Sequence, residues 1–240
     1  MLSLGTSGVC FAVTDGFRSD PTRAVHSFCH ALPKSWHTMS VMLSAASCLD
    51  FAARLTGLNT VAELIAQAET LSPQQQAEAP FFLPYLNGER TPHNNPHLQA
   101  SFVGLHASST RADLAYAVLE GVGLGLADGL QALAAAGSRL DDITLIGGGT
   151  RSAWWCQLLA DISGCTLTLR AGGEVGPALG AARLAWLGVD AAQADFNKVC
   201  EQPPLQMCYC HDPAKHAAFK LRHQKFQKIH HYIAPFFGSK

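Results

Sequence analysis

The chain is poor in charge. Asp, Glu, Lys and Arg make up only 15% of its 240 residues, and 17 basic against 18 acidic side chains leave a formal net charge of −1. With no field of one sign to draw a polyanion, neither nucleic acid nor an anionic membrane is an expected partner. No apolar run reads as long enough to span a bilayer. No basic stretch followed by an apolar core and a cleavage site opens the chain, and the expected compartment is the cytoplasm. The eight cysteines are scattered, and a chain of this length needs no covalent staples, so they read as reduced thiols. What the sequence has in quantity is apolar and small: 48% hydrophobic residues and 21 glycines, a composition suited to a well-buried α/β protein.

One stretch organises the rest. Ile143-Thr144-Leu145-Ile146 reads as a short strand buried on both faces. Gly147, Gly148 and Gly149 then remove every side chain from the turn that follows. Ser152 is placed to cap a helix in which Trp154, Leu158 and Ile162 recur at near-helical spacing. Strand, bare turn and capped helix together bring backbone N–H groups where a nucleotide can approach closely; an ordinary βα turn is the plain alternative. A second glycine turn lies near the start, where Leu2-Ser3-Leu4-Gly5-Thr6-Ser7-Gly8-Val9 reads as a hairpin. Its tip can wrap a phosphate with backbone N–H groups and the Thr6 hydroxyl, or be only a turn. The first strand of that hairpin is expected to lack its natural neighbour, to fray, and to promote self-association through an exposed sheet edge.

Between the two turns, residues 25–30 and 36–42 read as strands and residues 44–55 as a helix closed by Gly57. Thr60 caps a helix to about Thr70, and Ser72-Pro73-Gln74-Gln75-Gln76 reads as a surface link. Prolines and an Asn-Gly step argue against regular structure over residues 81–96, and Glu89 and Arg90 read as solvated or paired loop charges. His93 and His97 lack a carboxylate or cysteine at ligand spacing, so no metal is assigned. Thr110 and Asp113 form a capping box for a long helix ending at Gly137, with Leu114, Val118, Val122 and Leu126 in one apolar stripe. Its Gly121, Gly123, Gly125 and Gly129 cost about 1 kcal/mol each against Ala, which predicts that the flat surface serves close packing. A strand at 166–169 and a helix with Pro177 in its first turn follow. Cys200, Cys208, Cys210 and His211 lack the paired spacing of a zinc site. Residues 212–233 read as a terminal helix that docks Phe219, Phe226, Ile229 and Ile233.

These features resemble the C-terminal portion of the FGGY family of carbohydrate kinases, which have an actin-like ATPase (ribonuclease H-like) α/β fold. Leu2-Ser3-Leu4-Gly5-Thr6-Ser7-Gly8 resembles the family's second phosphate loop and residues 145–152 its adenosine loop. Ala100-x-Phe102-x-Gly104-Leu105, seven residues, then Asp113-Leu114-x-x-Ala117-Val118-Leu119-Glu120 agrees with the second family signature throughout. Residues 26–55 and 82–96 are most similar to the xylulose kinases within that family.

The resemblance implies that residues 1–240 form the C-terminal ATPase domain, with 81–105 as an ordered family loop and 212–233 as a terminal helix. It implies ATP or ADP with Mg2+ as cofactors and phosphorylation of a ketose such as D-xylulose. Gly5 and Thr6 would contact the terminal phosphates, Ala46 and Asp50 would line the nucleotide cleft, and Gly148, between Gly147 and Gly149, would face adenine and ribose. Ser152 stands where many relatives carry Asn, and Phe51 where xylulose kinases usually carry Trp. The family's catalytic Asp, the general base, lies upstream of the second phosphate loop, so no catalytic residue is assigned within this sequence. Sugar binding is accordingly expected only together with an N-terminal half. The alternatives are a non-catalytic nucleotide-binding remnant and, more weakly, a glycine-loop Rossmann enzyme, for which no acidic residue ends a second strand at the required distance.

Overall fold

The computed structural model describes residues 1–189 and 195–238. Nine strands form two sheets among these residues. In chain order they are β1 (Leu2–Leu4), β2 (Gly8–Thr14), β3 (His26–Cys29), β4 (Trp36–Met42), β5 (Phe81–Leu83), β6 (Ser101–Val103), β7 (Asp142–Ile146), β8 (Thr166–Arg170) and β9 (Leu205–Tyr209). The main sheet runs β3-β4-β2-β1-β7-β8-β9, and β5 pairs with β6 apart from it. β1, β7 and β8 are parallel neighbours; every other pairing is antiparallel. Alternation along each strand sets the core face. Leu2, Leu4, Cys10, Ala12, Ile143, Leu145 and Leu167 are buried on one side, while Val9, Phe11 and Ile146 on the other are half-buried.

The helices are α1 (Ala46–Leu55), α2 (Val61–Glu69), α3 (Pro73–Glu78), α4 (Arg111–Ala135), α5 (Ala153–Ser163), α6 (Gly176–Val189), α7 (Phe196–Val199) and α8 (Pro213–Ile233). α4 is the spine of the fold. It opens with the reciprocal Thr110–Asp113 capping box, and nineteen of its residues are buried, so it carries almost no polar face. Its glycines are the points of closest approach. A Cβ on Gly129 would meet Ser40 Oγ of β4 at 2.9 Å, one on Gly125 the Met42 methyl at 3.1 Å, and one on Gly123 Ile162 of α5 at 2.6 Å. At Gly121 it would run into the Phe82 carbonyl. The expected close packing is therefore present in three directions at once. By length and composition alone α4 would pass for a membrane span, but 83% of its most apolar window is buried inside the protein. It is the core helix of an α/β fold.

Three expectations need correction, and one strand lay outside them. β1 is not an edge: it lies between β2 and β7, paired on both sides, so the anticipated fraying has no basis in the sheet. Residues 73–78 are a short helix rather than a link, because Ser72 and Gln75 cap each other and Pro73 occupies the first turn, where no N–H is required. Phe81–Leu83 is a strand, held to β6 with the Phe82 and Phe102 rings 4.7 Å apart. β9 had no distinct signal, since Leu205 and Met207 sit exposed on a sheet edge and its register to β8 is broken between Leu169 and Arg170.

Candidate functional site

Two loops meet because two strands run parallel. Leu2 pairs with Leu145 and Ser3 with Ile146, so β1 and β7 point the same way and the turns at their carboxyl ends emerge side by side. The first turn is Gly5-Thr6-Ser7, where the Gly5 N–H donates to the Ser7 carbonyl at 3.2 Å. Its carbonyls hold the start of α1: Ala46 N–H donates to Gly5 O at 3.0 Å, and Ala45 N–H and Ser47 Oγ each donate to Thr6 O at 2.9 Å. The Thr6 side chain is exposed.

The second turn separates its three glycines into different roles. Gly147 sits at φ 95°, in the region that favours glycine, and a Cβ there would stand 2.8 Å from Leu4 O. At Gly149 a Cβ would meet the Trp155 ring at 2.7 Å and Leu4 Cβ at 2.8 Å. At Gly148 nothing lies within 4 Å. Gly147 and Gly149 thus let the turn lie against β1 and α5, while Gly148 faces open space. Ser152 Oγ then accepts from Trp155 N–H at 3.1 Å and caps α5, leaving its hydroxyl proton free to donate.

The open space is a cavity of about 510 Å³. Gly148, Gly149, Arg151 and Ser152 form one side, and Ala46, Leu49 and Asp50 of α1 the facing side. α2 completes it with Val61, Ile65 and Glu69. Its walls are apolar in the middle, with carboxylates and one guanidinium at the margins, as suits a flat heterocycle carrying polar edges. Of the residues singled out from the sequence, Ala46, Asp50, Gly148, Gly149 and Ser152 line this cavity. Gly147 stands behind it, and Gly5 and Thr6 adjoin it through the start of α1.

The loop after β5 holds what the sequence did not disclose. Glu89 is buried, not solvated: its Oε1 accepts from Leu43 N–H at 2.9 Å and Arg90 N–H at 2.7 Å. Burial pushes its carboxyl up to about 7, against the pull of those two donors. Thr91 pins the same loop, donating to Ala24 O at 3.0 Å and accepting from Val41 N–H of β4 at 3.1 Å. His93 is pushed down to about 4 by burial; its ring stacks on His230 at 3.7 Å and Nε2 lies 3.1 Å from the Tyr85 hydroxyl. Among the described residues no three His, Cys, Asp or Glu side chains are grouped to hold a metal ion. A charge in a proline-rich segment reads the same whether it is solvated or enclosed, so sequence offered no signal for Glu89.

Glycine turns at the ends of adjacent parallel strands, a cavity between them and a helix pair, and a glycine-notched core helix are the features of an actin-like ATPase fold. Residues 1–189 match the FGGY family of carbohydrate kinases, C-terminal domain, and the chain belongs to that family. It is 53% identical over 235 residues to the xylulose kinase of Escherichia coli (strain K12), covering 98% of this chain and 48% of that protein. To a xylulose kinase of Staphylococcus epidermidis it is 36% identical over 189 residues, 79% of this chain and 38% of the relative. A solved "xyloylose kinase" from Brucella ovis superposes with a TM-score of 0.90 at 38% identity, over 98% of this chain and 48% of that one. The chain therefore spans about half the length of the relatives it matches.

Proposed function

We propose that this chain is the nucleotide-binding half of an ATP-dependent ketose kinase that converts D-xylulose to D-xylulose 5-phosphate in the cytoplasm. Its resemblance to xylulose kinases supports the sugar, and the single observation carrying the nucleotide role is the unobstructed Gly148 at the mouth of the cavity. In this reading adenine and ribose lie against the bare Gly148 backbone, with Gly147 and Gly149 shaping the turn. Asp50 and Ser152 offer polar partners at the cavity margin, and Ala46 leaves room at the start of α1. Gly5 and Thr6 meet the terminal phosphates, Thr6 through its hydroxyl. The nucleotide supplies the phosphoryl group, and Mg2+ accompanies it on the phosphates. Residues 1–240 act as the C-terminal ATPase domain, with 81–105 as a family loop. The general base and the sugar pocket belong to the other half of the relatives' length, so this chain by itself turns nothing over. The second reading is a domain that binds nucleotide without turnover, for which the same cavity serves.

Calorimetric titration with ADP tests this. ADP binding to the unaltered chain that disappears in Gly148→Val supports the assignment. Equal affinity in a folded Gly148→Val variant would show that the glycine turn is only a turn.

A further inference from the structure

Two sulfurs touch at the β9 edge of the main sheet. Cys208 Sγ lies 3.8 Å from Cys210 Sγ, and both residues are exposed. Strand alternation puts them there. β9 pairs with β8 on one side only, and its last ladder pair is Tyr209 with Leu167. Tyr209 is buried, so the residues on either side of it both turn outward to solvent. Cys210 lies beyond the ladder, where its carbonyl accepts from Gln157 Nε2 at 2.9 Å. No strand pairing fixes its backbone against that of Cys208. The other cysteines are placed differently. Cys10, Cys48 and Cys156 are buried, and burial pushes the thiols of Cys10 and Cys156 up to about 11. Cys165 and Cys200 are half-buried, and Cys29 is exposed with no second sulfur in contact among the described residues.

We propose that Cys208 and Cys210 form a dithiol that closes reversibly to a disulfide when it meets a low-molecular-weight disulfide such as oxidised glutathione. The sulfurs must approach from 3.8 Å to a bonded separation of about 2.05 Å. Rotation of two exposed side chains, with the Cys210 backbone outside the ladder, supplies that movement. The hydrogen bond to Cys210 holds the Cys208 thiol above its ordinary range, so Cys208 keeps its proton and Cys210 is the attacking sulfur. The Cys210 thiolate attacks one sulfur of the glutathione disulfide and expels a glutathione thiolate. The Cys208 sulfur, giving up its proton, then attacks the Cys210 sulfur of the mixed disulfide and expels the second. Two cysteine thiols are oxidised, the glutathione disulfide is reduced to two glutathione thiols, and both protons pass to them. The ring closes across one residue, Tyr209. So short a ring strains the disulfide and leaves it open to reduction once the oxidant is spent.

The test exposes the full chain to oxidised glutathione, blocks the remaining thiols with N-ethylmaleimide in denaturant and maps tryptic peptides by mass spectrometry. The peptide of residues 199–215, which holds Cys200, Cys208 and Cys210, is expected to lose two hydrogens, to carry no glutathione, and to regain both thiols in excess reduced glutathione. Cys200→Ser is expected to leave that outcome unchanged, which assigns the bond to the other two sulfurs. Cys208→Ser removes the sulfur that resolves the mixed disulfide, and is expected to raise the glutathione adduct on Cys210 about tenfold over the unaltered chain. Loss of the product in Cys200→Ser overturns the proposal, as does a lasting glutathione adduct on Cys208 or Cys210 of the unaltered chain. A disulfide-linked dimer, a peptide whose three thiols all stay free, or a bond that reduced glutathione does not reopen overturns it as well.

Discussion

Arg222 on α8 grips Glu120 on α4 with two prongs, Nε to Oε1 at 2.5 Å and Nη2 to Oε2 at 2.6 Å, across 102 positions of sequence. The Glu120 side chain is wholly enclosed and Arg222 is 13% exposed. Arg222 also donates to the carbonyls of Ala77 and Ala79 and lies 4.5 Å over the Phe81 ring. One guanidinium thus joins α3, β5, α4 and α8. Burial pushes the Glu120 carboxyl up while the pair with Arg222 opposes it.

Removing one partner leaves a buried charge without compensation. Arg222→Leu is expected to destabilise by about 3–5 kcal/mol, and Glu120→Leu with Arg222→Leu by less than the single change. Urea denaturation of both decides this. If the double variant is the weaker of the two, the pair adds more than it costs to desolvate.

The three glycines should separate in stability as they do in geometry. Gly148→Val places its side chain in open space and is expected to stay within about 0.5 kcal/mol of the unaltered chain. Gly149→Val drives the new carbons into Trp155 and Leu4 and is expected to cost about 1–3 kcal/mol or more. Thermal melts compare them directly. Equal melting temperatures would contradict the placement of Gly149 against β1.

Glu89 makes stability depend on pH. Its folded value is about 7 against an ordinary 4.5, so the folded state keeps a proton that the unfolded chain releases. Stability from this group is present below pH 4.5 and is lost as pH rises through 7. Glu89→Gln keeps an acceptor for Leu43 and Arg90 without the charge, and is expected to gain on the unaltered chain by about 3 kcal/mol between pH 4.5 and 8. His93 has the reverse sign. Its folded value of about 4 lies below an ordinary 6.5, so its contribution is present above pH 6.5 and fades as pH falls toward 4. Urea melts from pH 4 to 8 check both. A difference between Glu89→Gln and the parent that stays flat with pH would mean that Glu89 ionises as if in water.

Phosphoryl transfer requires donor, acceptor and base to be positioned together. A coupled ADP-release assay on this chain with D-xylulose is expected to show no sugar-dependent turnover. Turnover abolished by substituting a residue of this chain would place the base within it.

Local chemistry was enough to determine much of this protein. The limits of β4 at Trp36 and Met42, the caps at Thr60, Thr110 and Ser152, and the strand–glycine–helix unit at 143–162 depend on residues within a few positions of one another. Alternation, capping and backbone freedom are properties of a short segment, and they read directly from sequence. The family signature added the fold as a whole.

The tertiary structure decided which glycine of three faces a cavity, because that depends on Leu4 and Trp155 arriving from another strand and helix. It placed β1 inside the sheet through a partner some 140 positions away. It also set the fate of the charges. Glu89, Glu120 and Asp128 look like any other carboxylates in the sequence, but all three are enclosed, Asp128 against His223 at 2.7 Å and Glu120 against Arg222. Whether a carboxylate is solvated or buried is settled by surfaces that meet only when distant segments fold together, and no local pattern of residues encodes it.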